Sequence, residues 1–235
     1  MMVWVPKGKF WMGSTDAQIA KVLNEAPTLV REWYDNEQPL HTVYLSGYWI
    51  YKYEVTVAQY RKFCTKTGRL MPIAPDWRWI DSHPIVNVSW QDASAYAKWA
   101  EASLPTEAQW EKAARGTDGR IFPWGNQFDT SKCNESSKEL LRTQPVGSYP
   151  DGASPYGCMD MAGNAWEYCS DWYSADYYAK SPFRNPTGPK KGIEHSLRGG
   201  SWWDNMVNNE RCSRRARILP ASSDYHSGFR CVRVR

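Results

Sequence analysis

The second half of the chain, from Thr117 onward, contains no long stretch in which apolar residues recur with the period of a helix or a strand. It is rich instead in Gly, Pro, Asn and Asp, which are typical of turns, and in Trp. Such a chain cannot build its core mainly from stacked regular layers. The 14 tryptophans offer another source of buried surface, because each aromatic ring buries roughly 150–250 Å². The sequence therefore predicts an irregular, loop-rich fold whose core depends on aromatic rings.

Three helices are predicted, all before this irregular half, and each begins at a capping signal. The signals are Thr56 with Gln59, Ser89 with Asp92, and Thr106 with Gln109. Gly68 and Gly116 are expected to end the first and third helices. Between residues 10 and 55 the pattern predicts short strands, including 41–45 and 48–51, around a long polar loop.

The last part of the chain is predicted to contain three strands, at residues 196–202, 210–217 and 228–234. Polar loops at 204–209 and 218–227 separate them. No segment with the composition of a linker interrupts the chain. We therefore expect one domain that spans residues 1–235.

Charge and apolar content limit the kinds of partner and the cellular location that the chain can have. The chain has 29 basic and 25 acidic residues, a net charge of +4 that does not indicate a nucleic-acid partner. Arginines cluster at 211–217, where we expect them to be solvated or salt-bridged, as we do for Glu107 and Glu111 one helical turn apart. No stretch is long and apolar enough to span a membrane, and no signal peptide begins the chain. The expected location is cytoplasmic, or exported or surface-displayed if the chain is an excised domain.

The six cysteines form no CxxC pair, and their spacing fits neither a zinc site nor a dense disulfide scaffold. Buried thiols are the expected state. One disulfide, for instance between Cys212 and Cys231, stays open as an alternative.

Several strings in the sequence are specific enough to indicate a family. They are FWMGS at 10–14, LPTEAQWEKAARG at 104–116, FPWGN at 122–126, DMAGNAWE at 160–167, LRGGSW at 197–202 and GFR at 228–230. In this order they resemble the formylglycine-generating enzyme, or sulfatase-modifying factor, family over essentially the whole chain. The resemblance implies an α+β fold of the C-type lectin-like kind, with few helices, short antiparallel strands and much irregular structure.

Family resemblance does not decide activity. The oxidase members bind copper through two cysteines, five residues apart after the Gly-Gly-Ser motif, and convert a substrate cysteine to formylglycine. Here those positions hold Asp204 and Asn209, and neither side chain supplies the soft thiolate that selects Cu(I). Another branch uses iron held by a histidine-rich triad, but the four histidines of this chain show no such spacing. We therefore expect neither copper nor iron and no catalytic residues.

The resemblance also implies one calcium site in the Asp160 turn. Its ligands would be the side chains of Asp160 and Glu167 and the backbone carbonyls of Gly163 and Ala165. Hard oxygen donors of this kind suit Ca²⁺. The alternative is that the two carboxylates only cap backbone N–H groups. A second family site would begin at Asn134, but the loop that should complete it is shortened here.

The C-terminal part also resembles the variable proteins of diversity-generating retroelements. In that group, Gly-Gly-Ser-Trp and Gly-Phe-Arg bracket scattered positions that are diversified from asparagine codons and bind ligands. The corresponding ligand-binding candidates are Trp203, Asp204, Asn205, Val207, Asn208, Asn209, Arg214, Ile218, Ser222, Ser223, Tyr225 and His226. They mix aromatic rings with adaptable polar groups, as antibody contact surfaces do.

We therefore expect a calcium-stabilised, non-catalytic protein that binds a protein or small-molecule ligand through its C-terminal loops. Two alternatives stay open. One is an oxidoreductase or peptide-modifying enzyme related to the formylglycine-generating enzymes. The other is a structural accessory domain.

Overall fold

The computed structural model describes residues 1–25, 29–138, 140–204 and 209–234. Within these ranges lie four α-helices, α1 (Asp16–Glu25), α2 (Val57–Thr67), α3 (Trp90–Trp99) and α4 (Glu107–Arg115). The last three are the helices that the sequence predicts. Each begins at a capping box in which the N-cap hydroxyl accepts the N–H three residues on. Gly68 and Gly116 follow α2 and α4 with a φ of 72°, a value that favours glycine.

Helix α1 corrects the prediction of a loop in this part of the chain. Its start carries the same signal as the other helices, since the Thr15 N–H donates to Gln18 Oε1 at 3.0 Å and the Gln18 N–H to Thr15 Oγ1 at 3.1 Å. Ile19 and Val22 turn inwards and pack in a small cluster with Tyr34. The sequence thus contained both a cap and an apolar face for this helix, within the segment predicted as a long polar loop.

Within the described ranges, nine short strands form three sheets. The strands are β1 (Met2–Val5), β2 (Gly8–Met12), β3 (His41–Leu45), β4 (Tyr48–Tyr51), β5 (Trp166–Trp172), β6 (His195–Arg198), β7 (Ala216–Ile218), β8 (Ser227–Gly228) and β9 (Val232–Val234). The sheet orders are β1-β4-β9, β2-β3 and β7-β6-β5-β8. All pairs are antiparallel except β5 with β8. Strands β3 and β4 match the predicted ranges.

The C-terminal strands are shorter than predicted. Strand β6 ends at Arg198, only 216–218 of the predicted 210–217 strand form β7, and the predicted 228–234 strand divides between β8 and β9. Strand β5 lies in a stretch that the sequence indicated as a turn. The four-stranded sheet nevertheless gathers three segments at one place: the turn before β5, the segment after β6 and the segment before β8.

Aromatic rings fill much of the interior, but most of them are Tyr and Phe, since only Trp110, Trp166 and Trp202 of the 14 tryptophans are buried. Trp110 of α4 is fully buried, and its indole Nε1 donates to Glu167 Oε2 at 2.8 Å. A second cluster packs Tyr60, Tyr96 and Phe229 with ring centroids 5.3–6.4 Å apart. These contacts join helices α2 and α3 to the segment between β8 and β9, so rings connect elements that share no sheet.

Four arginines of the C-terminal part are buried, and each one is paired with a buried glutamate. Salt bridges join Arg211 to Glu37 at 2.6 Å, Arg215 to Glu107 at 2.8 Å, Arg230 to Glu167 at 2.6 Å, and Arg198 to Glu111. Glu111 also accepts from Arg115 at 2.7 Å. The expected salt bridges of Glu107 and Glu111 are therefore present, but inside the protein rather than on a solvated face.

All six cysteines are buried and form no disulfide. Among the described residues, no helix is both long enough and apolar enough to cross a membrane.

Candidate ligand-binding surface

Five side chains near the C-terminal loops form a cluster that we call the aromatic platform: Trp77, Trp202, Trp203, Tyr225 and His226. The Trp203 and His226 rings stack with centroids 5.4 Å apart and planes 7° from parallel. The Trp202 ring meets both nearly edge-on, at 5.4 Å and 5.3 Å. Trp202 is buried, whereas Trp203 is 57% exposed. The platform therefore presents a large ring to solvent on a buried aromatic support.

Hydrogen bonds fix the supporting ring. The Trp202 indole Nε1 donates to the carbonyl of Tyr225 at 3.0 Å, and its backbone N–H donates to the carbonyl of Asn164 at 3.1 Å. Trp77 packs edge-on against Trp202 at 5.3 Å and against Tyr225 at 6.2 Å. The structure brings together three of the candidates predicted from the sequence, Trp203, Tyr225 and His226. No sequence signal indicated Trp77, which lies far from them along the chain.

The two positions that hold cysteines in the oxidase members contact each other directly. The amide Nδ2 of Asn209 donates to Asp204 Oδ1 at 2.7 Å. The other carboxylate oxygen of Asp204 accepts the N–H and the hydroxyl of Ser201 at 2.8 Å and 2.7 Å. The Asp204 carboxylate is thus held in place by neutral donors. The candidates Asn205, Val207 and Asn208 lie outside the described residues.

A cleft of about 670 Å³ adjoins this pair. Arg214 connects the cleft to the Asp204–Asn209 pair. Its Nε donates to Asn209 Oδ1 at 3.1 Å, and its Nη1 donates to the carbonyl of Trp33 at 2.7 Å. Trp33 is 44% exposed and forms a second aromatic surface that the sequence did not indicate. The wall of the cleft consists of Glu32, Trp33, Asn36, Glu194, Asn209, Arg214, Arg215, Ala216 and Arg217.

The remaining ligand-binding candidates lie at the ends of the neighbouring loop. Ile218, in β7, is half-buried and packs against the core cluster that contains Tyr168. The carbonyl of Ser222 accepts from the Tyr168 hydroxyl at 3.4 Å, and Ser223 is exposed. Of these three, Ser223 is the most accessible to a ligand.

The predicted calcium turn contains one carboxylate, that of Glu167, whose two oxygens both accept hydrogen bonds. Glu167 Oε1 accepts from Arg230 Nη2 at 2.6 Å, while Oε2 accepts from Arg230 Nε at 2.6 Å and from Trp110. Asp160 Oδ2 accepts the N–H of Gly147 at 2.6 Å. Gly163 has a φ of 75°, and a Cβ there would lie 2.3 Å from the carbonyl oxygen of Asn134. The turn therefore requires glycine and packs directly on Asn134, although Glu167 is already neutralised by an arginine.

Buried oxygen atoms without partners lie beside this turn. Asn164 Nδ2 donates to Glu54 Oε1 at 3.0 Å, and Asn134 Nδ2 donates to Asn164 Oδ1 at 3.2 Å. The other oxygens, Glu54 Oε2 and Asn134 Oδ1, have no hydrogen-bond partner. Burial and then the nearby charge of Asp160 raise the pKa of Glu54, and burial likewise raises the pKa of Asp160.

In the part of the chain that the structure describes, no three His, Cys, Asp or Glu side chains converge on a point where they could hold a metal ion. A cation at this turn would therefore need amide and backbone oxygens as well as carboxylates. Asn134, Asn164 and the carbonyls of the turn are oxygen donors of that type.

The chain is similar to the formylglycine-generating enzyme of Streptomyces coelicolor, with 37% identity over 84% of this chain and 82% of that protein. It is also similar to the solved structure of PvdO from Pseudomonas aeruginosa, with 25% identity and a TM-score of 0.83 over 99% of this chain and 93% of that one. The structure of variable protein 1 of Treponema denticola has the same fold, with 22% identity and a TM-score of 0.76 over 98% of this chain and 94% of that one.

These likenesses confirm the predicted fold class, which is α+β and C-type lectin-like, and the predicted resemblance to both groups of proteins. Residues 1–235 match the family described as the sulfatase-modifying factor enzyme 1-like domain. The chain therefore belongs to the sulfatase-modifying factor enzyme 1-like domain family.

Proposed function

We propose that the protein binds a ligand, without catalysis, through the aromatic platform and the adjoining cleft. The observation that carries this proposal is the exposed Trp203 ring, stacked on His226 and supported by the buried Trp202. A large ring that is held rigid before binding loses little conformational entropy when a ligand contacts it. Binding sites concentrate their energy in such aromatic anchors.

The chemistry of the Asp204–Asn209 pair supports a non-catalytic role. A carboxylate and an amide are hard oxygen donors, and they do not select Cu(I) as a thiolate pair does. In this protein they are also bound to each other and to Ser201. They are suited to shape the surface between the platform and the cleft.

A finer proposal is that this surface belongs to the variable protein of a diversity-generating retroelement. The fold shared with variable protein 1 of Treponema denticola supports only the architecture. The described candidates Asp204, Asn209, Ser222 and Ser223 lie near the platform in the chain, which is where diversified contact residues would act. A neighbouring reverse transcriptase gene with an adenine-rich near-copy of the 3′ end of the coding sequence would support this proposal, and an adjacent sulfatase gene would count against it.

Selection of peptides from a random display library tests the binding proposal. Peptides enriched on the wild-type protein are expected to bind Trp203→Ala at least about tenfold more weakly, since aromatic anchors contribute about 2 kcal/mol or more to binding. Because Trp203 is exposed, its replacement is expected to leave the melting temperature unchanged. Affinities are measured by surface plasmon resonance.

Trp11→Ala is the matched control, because Trp11 is 48% exposed on β2, outside the platform. Peptides that bind Trp203→Ala and the wild type equally would contradict the proposed surface. Failure to enrich any peptide would favour the structural accessory domain.

The second candidate function is a peptide-modifying oxidoreductase, which the 37% identity to the Streptomyces coelicolor formylglycine-generating enzyme favours. Incubation with a cysteine-containing peptide, copper and oxygen, followed by mass spectrometry, tests it directly. Conversion of the peptide cysteine to formylglycine would overturn the non-catalytic proposal. An unchanged peptide mass is the result we expect.

We also propose that the turn at 160–167 binds one Ca²⁺ as a structural ion. Asp160 and the carbonyls of Gly163 and Ala165 would hold it, and the unpartnered oxygens of Glu54 and Asn134 support a cation beside them. Glu167 is the least suitable member of the expected set, because Arg230 already binds both of its oxygens. Since Asn164 of this turn accepts the Trp202 N–H, the ion would stabilise the base of the aromatic platform.

A further inference from the structure

Arg214 differs from the other buried or half-buried arginines near it in having no acid partner. Arg211 and Arg215, on either side, are each paired with a glutamate. Among the described residues, no carboxylate lies within ion-pair distance of Arg214. Its guanidinium contacts two neutral acceptors, Asn209 Oδ1 and the Trp33 carbonyl, and the face of the Tyr34 ring at 5.3 Å.

The acidic groups nearest to Arg214 are already occupied. Glu37 is held by two hydrogen bonds from Arg211, at 2.6 Å and 2.8 Å. Asp204 accepts from Asn209 and Ser201, so Asn209 stands between this carboxylate and Arg214. A charge that is largely withdrawn from water and lacks a close counter-charge is unfavourable. Burial accordingly lowers the pKa of the Arg214 guanidinium, and the like charge of Arg211 lowers it further.

The cleft beside Arg214 has the other features of a peptide site. Asn36 also lies on its wall, where its Nδ2 donates to the Tyr173 hydroxyl at 2.7 Å. The exposed Trp33 ring provides an apolar wall. Arg214 Nη2 has no acceptor among the described residues, which leaves a charged donor for an incoming anion.

We propose that this cleft binds the carboxylate of an acidic peptide segment, with Arg214 as the anion contact and the exposed Trp33 ring as the apolar wall beside it. A carboxylate supplies the missing counter-charge, and charge-assisted hydrogen bonds to arginine are among the strongest in proteins. The inference rests on the proposed ligand-binding function and adds to it the chemistry of the ligand.

Fluorescence anisotropy with two labelled peptides, hexaglutamate and hexaglutamine, tests the proposal on the full chain. The wild-type protein is expected to bind hexaglutamate at least about tenfold more tightly than hexaglutamine, with an affinity that falls as salt is added. Arg214→Gln is expected to remove most of this difference. Arg214→Lys keeps the charge but loses the planar fork of donors, so it is expected to give an intermediate affinity.

Arg184→Gln is the matched control, since it removes the same charge from an exposed arginine that stacks on Tyr44 at 4.6 Å, outside the cleft. Equal loss of hexaglutamate binding in Arg184→Gln and Arg214→Gln would show general charge attraction and overturn the proposal. Wild-type affinity in both Arg214 variants would do the same, as would equal binding of the two peptides by the wild type. If the Trp203→Ala result stands while the Arg214 variants bind normally, only the acidic-peptide inference fails.

Discussion

Glu210 is a carboxylate whose surroundings oppose its ionisation. Its side chain is fully buried, and neither carboxylate oxygen has a hydrogen-bond partner. Burial raises its pKa well above the usual range, and the charge of Asp204 raises it further. A folded-state pKa above the unfolded value means that the native protein binds the proton more tightly. The stabilisation from this proton is present below about pH 4, near the pKa of an unfolded Glu, and is lost as the pH rises.

Replacement by its neutral isostere is therefore expected to help at neutral pH. We expect Glu210→Gln to raise the free energy of unfolding at pH 7 by about 1–3 kcal/mol, because no proton then has to be taken up on folding. At pH 4 the difference from the wild type is expected to close. Urea denaturation at the two pH values measures both quantities.

Glu37→Gln is the control, since Glu37 is equally buried but paired with Arg211. Burial opposes ionisation of Glu37, but the charge of Arg211 outweighs it and lowers the pKa to about 2. The control is expected to destabilise the protein at pH 7. A gain of stability for Glu210→Gln that is the same at pH 4 and pH 7 would contradict the account of its ionisation.

At single positions, the sequence indicated candidate ligand-binding residues only where a motif lies on each side of them. Trp203, Tyr225 and His226 are bracketed by Gly-Gly-Ser-Trp and Gly-Phe-Arg, and the structure brings them together. Trp77 and Trp33 reach the same surface from distant segments that have no periodicity and no motif. Tertiary packing alone determines their places, so spacing along the chain carries no signal for them.

Helix α4 is the element on which the interior depends most. Its Glu111 accepts the Gly13 N–H at 2.8 Å and also binds Arg115 and Arg198, which are both buried. The Glu111 carboxylate thus pairs with two guanidinium groups and accepts one backbone N–H from the segment between β2 and α1. Among the described residues, loss of this charge would leave Arg115 without a carboxylate partner and Arg198 with only Glu107, at 3.6 Å.

We expect Glu111→Gln to lower the free energy of unfolding by about 3–5 kcal/mol, the usual effect of removing one member of a buried ion pair. Glu101→Gln, at an exposed glutamate just after α3, is expected to change it by less than about 0.5 kcal/mol. Urea denaturation at neutral pH gives both values. Equal stability of the two variants would show that the buried network contributes little.

Elements were predictable where a local signal defines them. The capping boxes located α2, α3 and α4. Helix α1 has the same signal at Thr15 and Gln18, which the prediction of a long polar loop overlooked. Strand β5 is buried on nearly every residue, so it lacks the alternation of a half-buried strand. Pairing with β6 and β8, both distant in sequence, is what makes it a strand.

At the scale of the whole molecule, calcium is expected to act on global stability. An ion that binds only the native state stabilises it by mass action. With calcium in hundredfold excess over its Kd, we expect a melting temperature roughly 5–10 °C higher than in a chelator. Differential scanning fluorimetry with calcium, with magnesium and with EGTA measures the shift.

Two variants assign the effect to the proposed turn. Asp160→Ala is expected to abolish the calcium-dependent shift, whereas Asp76→Asn, at an exposed aspartate away from the turn, is expected to keep it. The same melting temperature for the wild-type protein with calcium and with EGTA would contradict the proposed calcium site.

The buried arginine–glutamate pairs also bear on how the protein is made. In the four pairs formed by Arg198, Arg211, Arg215 and Arg230, the members lie 63 to 174 positions apart, and the arginine follows its glutamate along the chain. While the chain is still on the ribosome, Glu37, Glu107 and Glu111 have emerged but their C-terminal partners have not. Contacts between such distant residues form only after a large loss of chain entropy. The interior is therefore completed only after these arginines have been synthesised, and a chain interrupted before Arg198 would keep carboxylates without their partners.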